Sequence, residues 1–121
     1  MDTRLLDSAR AIGDLKVLTA SRPGTEIADL RKLGDFLRDR EPDVAAVLAS
    51  VNGEKVTFLA VCGKNAVAKG VKAGDIIRAV SAAAGGKGGG KPDSAMGGGT
   101  DVSKVDEALA LVAGLVSEKI G

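Results

Sequence analysis

Residues 44–62 read VAAVLASVNGEKVTFLAVC, two apolar runs separated by a short polar break that contains Asn52-Gly53. Asn-Gly is the preferred pair for a two-residue type I′ turn, because both central residues need positive φ. The stretch is therefore expected to be a β-hairpin with strands at 44–51 and 55–62. Upstream, LKVLTAS (15–21) reads as a strand closed by Arg22-Pro23-Gly24. Between the two lies a segment from about Thr25 to Arg40 with Ile27, Leu30, Leu33 and Leu37 on one helical face. Arg31, Lys32, Asp35, Arg38 and Asp39 occupy the rest, and Pro42 stops it. Strand, crossover helix and strand make a right-handed βαβ unit, to which the hairpin adds an antiparallel third strand.

The flanks read as helices. Leu5, Ala9 and Ile12 recur at i, i+4 and i+7, which predicts a short amphipathic helix over 3–12 before Gly13. Ile76, Ile77, Val80 and Ala84 predict another from Ala73 onward. Asp101 is placed to cap a last helix with Val105, Leu109, Val112, Val116 and Ile120 on one face. The fold class expected is α/β, a small mixed sheet covered by helices, with a glycine-rich loop before the C-terminal helix.

Length and composition narrow the function. A chain of 121 residues is one domain that buries a core without disulfides or a structural metal. Phe36 and Phe58 are its only aromatic residues, so bases have almost no aromatic side chains on which to stack. With 17 basic against 16 acidic residues the net charge is +1, so any polyanion site must be a local patch. The absence of histidine excludes Ser-His-Asp triads, Cys-His dyads and His-containing zinc sites. Cys62 stands alone in an apolar run, where a structural thiol outweighs a nucleophile. A lone cysteine and the lack of a signal peptide or a run of ~20 apolar residues lead us to expect a cytoplasmic protein.

The stretch GGKGGGKPDSAMGGG (85–99) places eight of the 17 glycines in fifteen positions. It fits neither GxxxxGK[ST] nor a GxGxxG between strand and helix, since it follows a helix. Two readings remain open from the residues alone. Exposed backbone amides at Gly85, Gly86, Gly88, Gly89, Gly90, Gly97, Gly98 and Gly99, beside Lys87, Lys91 and Pro92, suit phosphate or sugar oxygens near the start of the last helix. A flexible linker also tolerates such a run. Asp93, Asp101, Asp106 and Glu107 could hold a hard cation, but a cap, a turn and helix-start charges account for them better, so no metal site is expected.

The segment AGGKGGGKPDSAMGGGTDVSKVDEALALV (84–112) resembles the signature of the C-terminal domain of alanyl-tRNA synthetases, the DHHA1-type or C-Ala domain. That signature is a glycine run, a basic residue, Pro-Asp, more glycines and a Ser-Lys-Leu-Asp-Glu-Ala-Leu type helix. GKNAVAKGVKAGDIIR (63–78) is similar to the same family's upstream segment, and the resemblance covers residues 14–121. Lys72 and Val102 stand where many members carry His and Pro.

The resemblance implies a noncatalytic domain that binds the elbow of tRNA, alanine tRNA in particular, and joins aminoacylation to editing. The glycines of 85–90 and 97–99 would allow close approach, Lys87 and Lys91 would supply charge, and Lys72 would be a lesser contact. Peptide planes would stack on an exposed base pair. Residues 1–13 are then expected to be the stub of a preceding helical segment, and the chain an excised domain. The other domains of the parent synthetase become its partners, and a homodimer is a further expectation. ATP, magnesium and zinc would belong to those other domains, with no cofactor here and no membrane partner. The nucleotide-binding half of a DHH-type phosphoesterase and a pure dimerisation module are the alternatives.

Overall fold

A computed structural model describes residues 4–120. Among these residues six strands form one mixed sheet, in the spatial order β1 (Arg10–Ile12), β2 (Leu15–Ser21), β3 (Val44–Asn52), β4 (Lys55–Cys62), β6 (Ser94–Gly99) and β5 (Lys87–Gly90). At its centre, β3 (Val44–Asn52) and β4 (Lys55–Cys62) are the expected hairpin, antiparallel from Ala45↔Cys62 to Asn52↔Lys55. Asn52 belongs to the strand, so Gly53 and Glu54 are the turn. Gly53 has φ 63° and no non-glycine residue among the described residues has positive φ, so Glu54 does not; this is the sign pattern of type II′ and replaces the expected type I′. The physical reason is that Asn52 is held in line: its Nδ2 donates to Thr25 O and Ser50 Oγ.

The βαβ unit is present. β2 (Leu15–Ser21) runs parallel to β3, and α2 (Ile27–Arg40) joins them. β3 and β4 are buried on both faces, hence their nearly continuous apolar runs. Ala45, Val47, Val56, Phe58 and Cys62 point to one side, and Ala46, Leu48, Leu59 and Val61 to the other. The second side receives Leu30 and Leu37 of α2, with Gly34 against Leu59 and Val61. The first side is covered by α4 (Ala73–Ala83) and α5 (Val105–Ile120), through Ile76, Ile77, Val80, Val105, Leu109, Val112 and Val116. Asp101 caps as expected, but on a 3₁₀ turn (Val102–Lys104) that precedes α5. Its Oδ1 accepts from Ser103 N at 3.2 Å.

Three further readings change. The helix over 3–12 is only α1 (Arg4–Asp7) within the described residues; Arg10–Ile12 is β1, antiparallel to β2 around Gly13-Asp14. Leu5 and Ala9 pack on the α2 side and Ile12 on the other, so residues in helical spacing serve two faces of a sheet. A short helix, α3 (Lys64–Ala68), precedes α4 where none was foreseen. Finally, the glycine stretch is not a loop. It folds as β5 (Lys87–Gly90) and β6 (Ser94–Gly99), a hairpin that turns at Pro92-Asp93, with β6 seated against β4.

β5 is an edge strand. Lys91 N donates to Ser94 O, and by alternation Gly89 and Lys87 also face their β6 partners through hydrogen bonds. Gly88 therefore turns its own N–H and C=O outward, away from β6.

Candidate nucleic-acid interface

Successive residues of a strand face opposite sides, and this divides the glycines into two sets. On the α4 side they permit contact of backbone with helix. A Cβ on Gly97 would clash with Ser81 Oγ, one on Gly88 would meet Gly97 Cα and Ile77, and one on Gly99 would meet the Ala84 carbonyl. Gly74 of α4 answers in kind: its Cβ would lie 2.8 Å from Gly90 O. Gly86 is pressed against Gly98 O, Gly90 against Ala95, and Gly85, at φ 76°, turns the chain out of α4.

The other side is open. Nothing lies within 4 Å of the position a Gly89 Cβ would take, and a Gly98 Cβ would touch only Val56 O, at 3.0 Å. Lys87, Gly89, Met96 and Gly98 share this face, because α2 covers β2 to β4 and stops short of the hairpin. The result is a nearly side-chain-free patch of sheet with Lys87 at one end and Lys91 and Pro92 at the other. Lys72 is not part of it. It precedes α4 and lines a small cleft between α4 and α5 with Glu118 and Lys119.

A groove of about 510 Å³ runs along the bottom of the patch, with Gly89 and Met96 in its floor and Lys91 and Ser94 on the hairpin side. Its opposite wall is α2, through Arg31, Asp35 and Arg38. Arg38 is half-buried and ringed by carboxylates, at 3.4 Å from Asp35, 3.3 Å from Asp39 and 3.8 Å from Asp93. At the top end a second hollow of about 310 Å³ is lined by Lys55, Thr57, Thr100 and the backbone of Gly86, Gly98 and Gly99. Sequence reasoning placed none of Arg31, Arg38, Lys55, Thr57 or Met96 here. The signal for α2 was the i, i+4, i+7 spacing of residues 31, 35 and 38; the register that brings β4 beside β6 left no comparable trace.

Cys62 lies behind this surface, fully buried, and its thiol is pushed up to about 12, first by burial and then by the charge of Asp93. Such a thiol is a poor nucleophile. Asp93 and Asp101 are spent on Arg38 and on the cap, and no group of three or more potential metal ligands occurs among the described residues. Among the described residues no helix is long and apolar enough to cross a membrane.

The comparisons with known proteins fit this architecture. Residues 14–118 match the DHHA1 domain model, and the chain belongs to that family. Within it the likeness is to the C-Ala domain of alanyl-tRNA synthetases. The crystal structure of the C-Ala domain from Aquifex aeolicus alanyl-tRNA synthetase superposes with a TM-score of 0.83 at 32% identity, covering 90% of this chain and 97% of that one. Alanine–tRNA ligase of Methylobacillus flagellatus is 47% identical over 116 residues, 96% of this chain but 13% of its own length. That of Paracidovorax citrulli is 46% identical over 115 residues, 95% of this chain and 12% of its own. The chain thus spans about an eighth of these curated relatives. A DHH-domain structure from a family of ribosomal proteins, at 15% identity and a TM-score of 0.53, shares the fold alone.

Proposed function

We propose that this domain binds the elbow of tRNA, alanine tRNA in particular, on the open glycine face of the β5–β6 hairpin. There it helps a cytoplasmic alanine–tRNA ligase keep one tRNA bound between aminoacylation and editing. The observation that carries the reading is Gly89: sheet backbone with nothing above it, between two lysines roughly 13 Å apart along the strand. A flat tertiary base pair needs a flat partner, and peptide planes supply one in a chain without tyrosine or tryptophan. Lys87 and Lys91 are placed to take the phosphates on either side. The chemistry of the ligase, with its ATP, magnesium and zinc, belongs to other domains; this chain alone is proposed to turn over neither aminoacyl-tRNA nor phosphodiesters.

The test is a fluorescence anisotropy titration of alanine tRNA transcript, with a duplex RNA of equal length but no D or T loop as comparison. Tighter binding of the tRNA at matched salt supports the elbow. Equal affinities would mean that charge alone holds RNA here, and would overturn the elbow reading.

A further inference from the structure

Two arginines stand on the flank of α2 that faces the glycine hairpin, two helical turns apart, and their surroundings differ. The guanidinium of Arg38 is shared among Asp35, Asp39 and Asp93, and the last of these ties the helix to the hairpin turn. Arg31 is exposed, lines the same groove, and makes no ion pair among the described residues. The acid one turn away on its flank, Asp35, is engaged by Arg38. The groove therefore has one neutralised cation and one available cation on its helix wall, and Lys91 on its hairpin wall.

We propose that α2 is the second wall of the RNA platform. Arg31 grips a backbone phosphate next to the base that lies on Gly89 and Met96, while Arg38 touches no RNA and positions the helix. The inference rests on RNA binding by the glycine face. The groove, at about 510 Å³, lies within the roughly 300–1,000 Å³ typical of small-ligand sites, so it has room for one nucleotide. A planar guanidinium on a three-carbon stem forms paired hydrogen bonds with phosphate oxygens that an ammonium group cannot reproduce. The thioether of Met96, half-buried in the floor, offers a polarisable surface to a base without needing a hydrogen bond.

The experiment titrates labelled alanine tRNA transcript with wild type and four variants across a salt series, with melting curves for each. Arg31→Ala is expected to weaken binding about tenfold, reduce the slope of log K against log salt by about 0.7–0.9, and leave the melting temperature unchanged. Arg31→Lys should restore the slope and only part of the affinity. Lys32→Ala, one residue away but outside the groove, should change neither, and Arg38→Ala should lower the melting temperature without changing the slope. An Arg31→Ala variant that matches Lys32→Ala, with wild type binding normally, would overturn the role of α2 and leave the glycine platform standing. A slope change in Arg38→Ala would overturn the division between the two arginines. If wild type itself fails to bind tRNA, the platform reading falls and this inference falls with it.

Discussion

Ser81 Oγ lies too close to Gly97 for any side chain to begin there, and it has no hydrogen-bond partner among the described residues. The hydroxyl is fully buried between α4 and β6, so it contributes shape but no bond. Ser81→Ala should accordingly be neutral or mildly stabilising, since it removes an unsatisfied buried polar atom. Gly97→Ala should cost about 1–3 kcal/mol by forcing α4 off the hairpin. The double variant should recover part of that loss, because Ile77 Cγ2 would still lie 2.8 Å from the new Cβ. Urea denaturation of the four proteins measures this, and additive effects would mean that Ser81 and Gly97 do not compete for the same space.

The open face separates charge from shape. Lys87→Ala together with Lys91→Ala should weaken tRNA binding and flatten the salt dependence by about 0.7–0.9 for each phosphate that is no longer neutralised. Gly89→Val should weaken binding at an unchanged slope, since it fills the space above the floor and leaves both ammonium groups. It should also fold normally, having nothing within 4 Å to displace. Gly90 is a worse probe: its φ is 156° and its Cβ would lie 2.8 Å from Ala95 Cα, so substitution there perturbs the strand itself. Folded variants with wild-type affinity would place the RNA on another face.

Cys62 predicts a pH effect. Its thiol is raised from 9.0 to about 12, so the unfolded chain loses this proton first as pH climbs. The stabilisation is fully present below about pH 9 and is lost progressively toward pH 12, by up to about 1.4 kcal/mol per unit. Wild type should therefore lose more stability than Cys62→Ala between those limits, as read by denaturation at several pH values. Parallel curves would show that the thiol is not desolvated. At neutral pH the same variant should bind RNA as wild type does.

Much of the fold was legible because its central elements carry strong local signals. Residues 44–51 and 56–62 alternate sides while staying mostly apolar, and the α2 and α5 faces keep their 3.6-residue period, except that Ile27, expected on the α2 core face, is exposed at the helix start. The glycine stretch defeated the same logic. A strand is read from side chains, and here the packing consists of their absence: α4 lies on Gly88, Gly97 and Gly99 because nothing projects from them. Leu5, Ala9 and Ile12 misled for the opposite reason, since their helical spacing hid a hairpin at Gly13-Asp14 whose register turns Ile12 to the side away from α2. As to the candidate site, the lysines and glycines could be named, but the α2 wall is assembled by tertiary packing, and no spacing within 85–99 points to Arg31.

The outward amide and carbonyl of Gly88 bear on how copies of the protein behave toward each other. An edge strand of glycines offers no side-chain barrier to a second strand, which makes it a template for aggregation. Two β5 strands paired antiparallel about Gly89, with the pairing carried one residue on, would set Lys87 of each opposite Lys91 of the other, two like-charge pairs within five residues. The lysines thus act as gatekeepers of colloidal stability as well as proposed phosphate contacts. Any polyanion that neutralises them removes that guard, unless it also covers the edge.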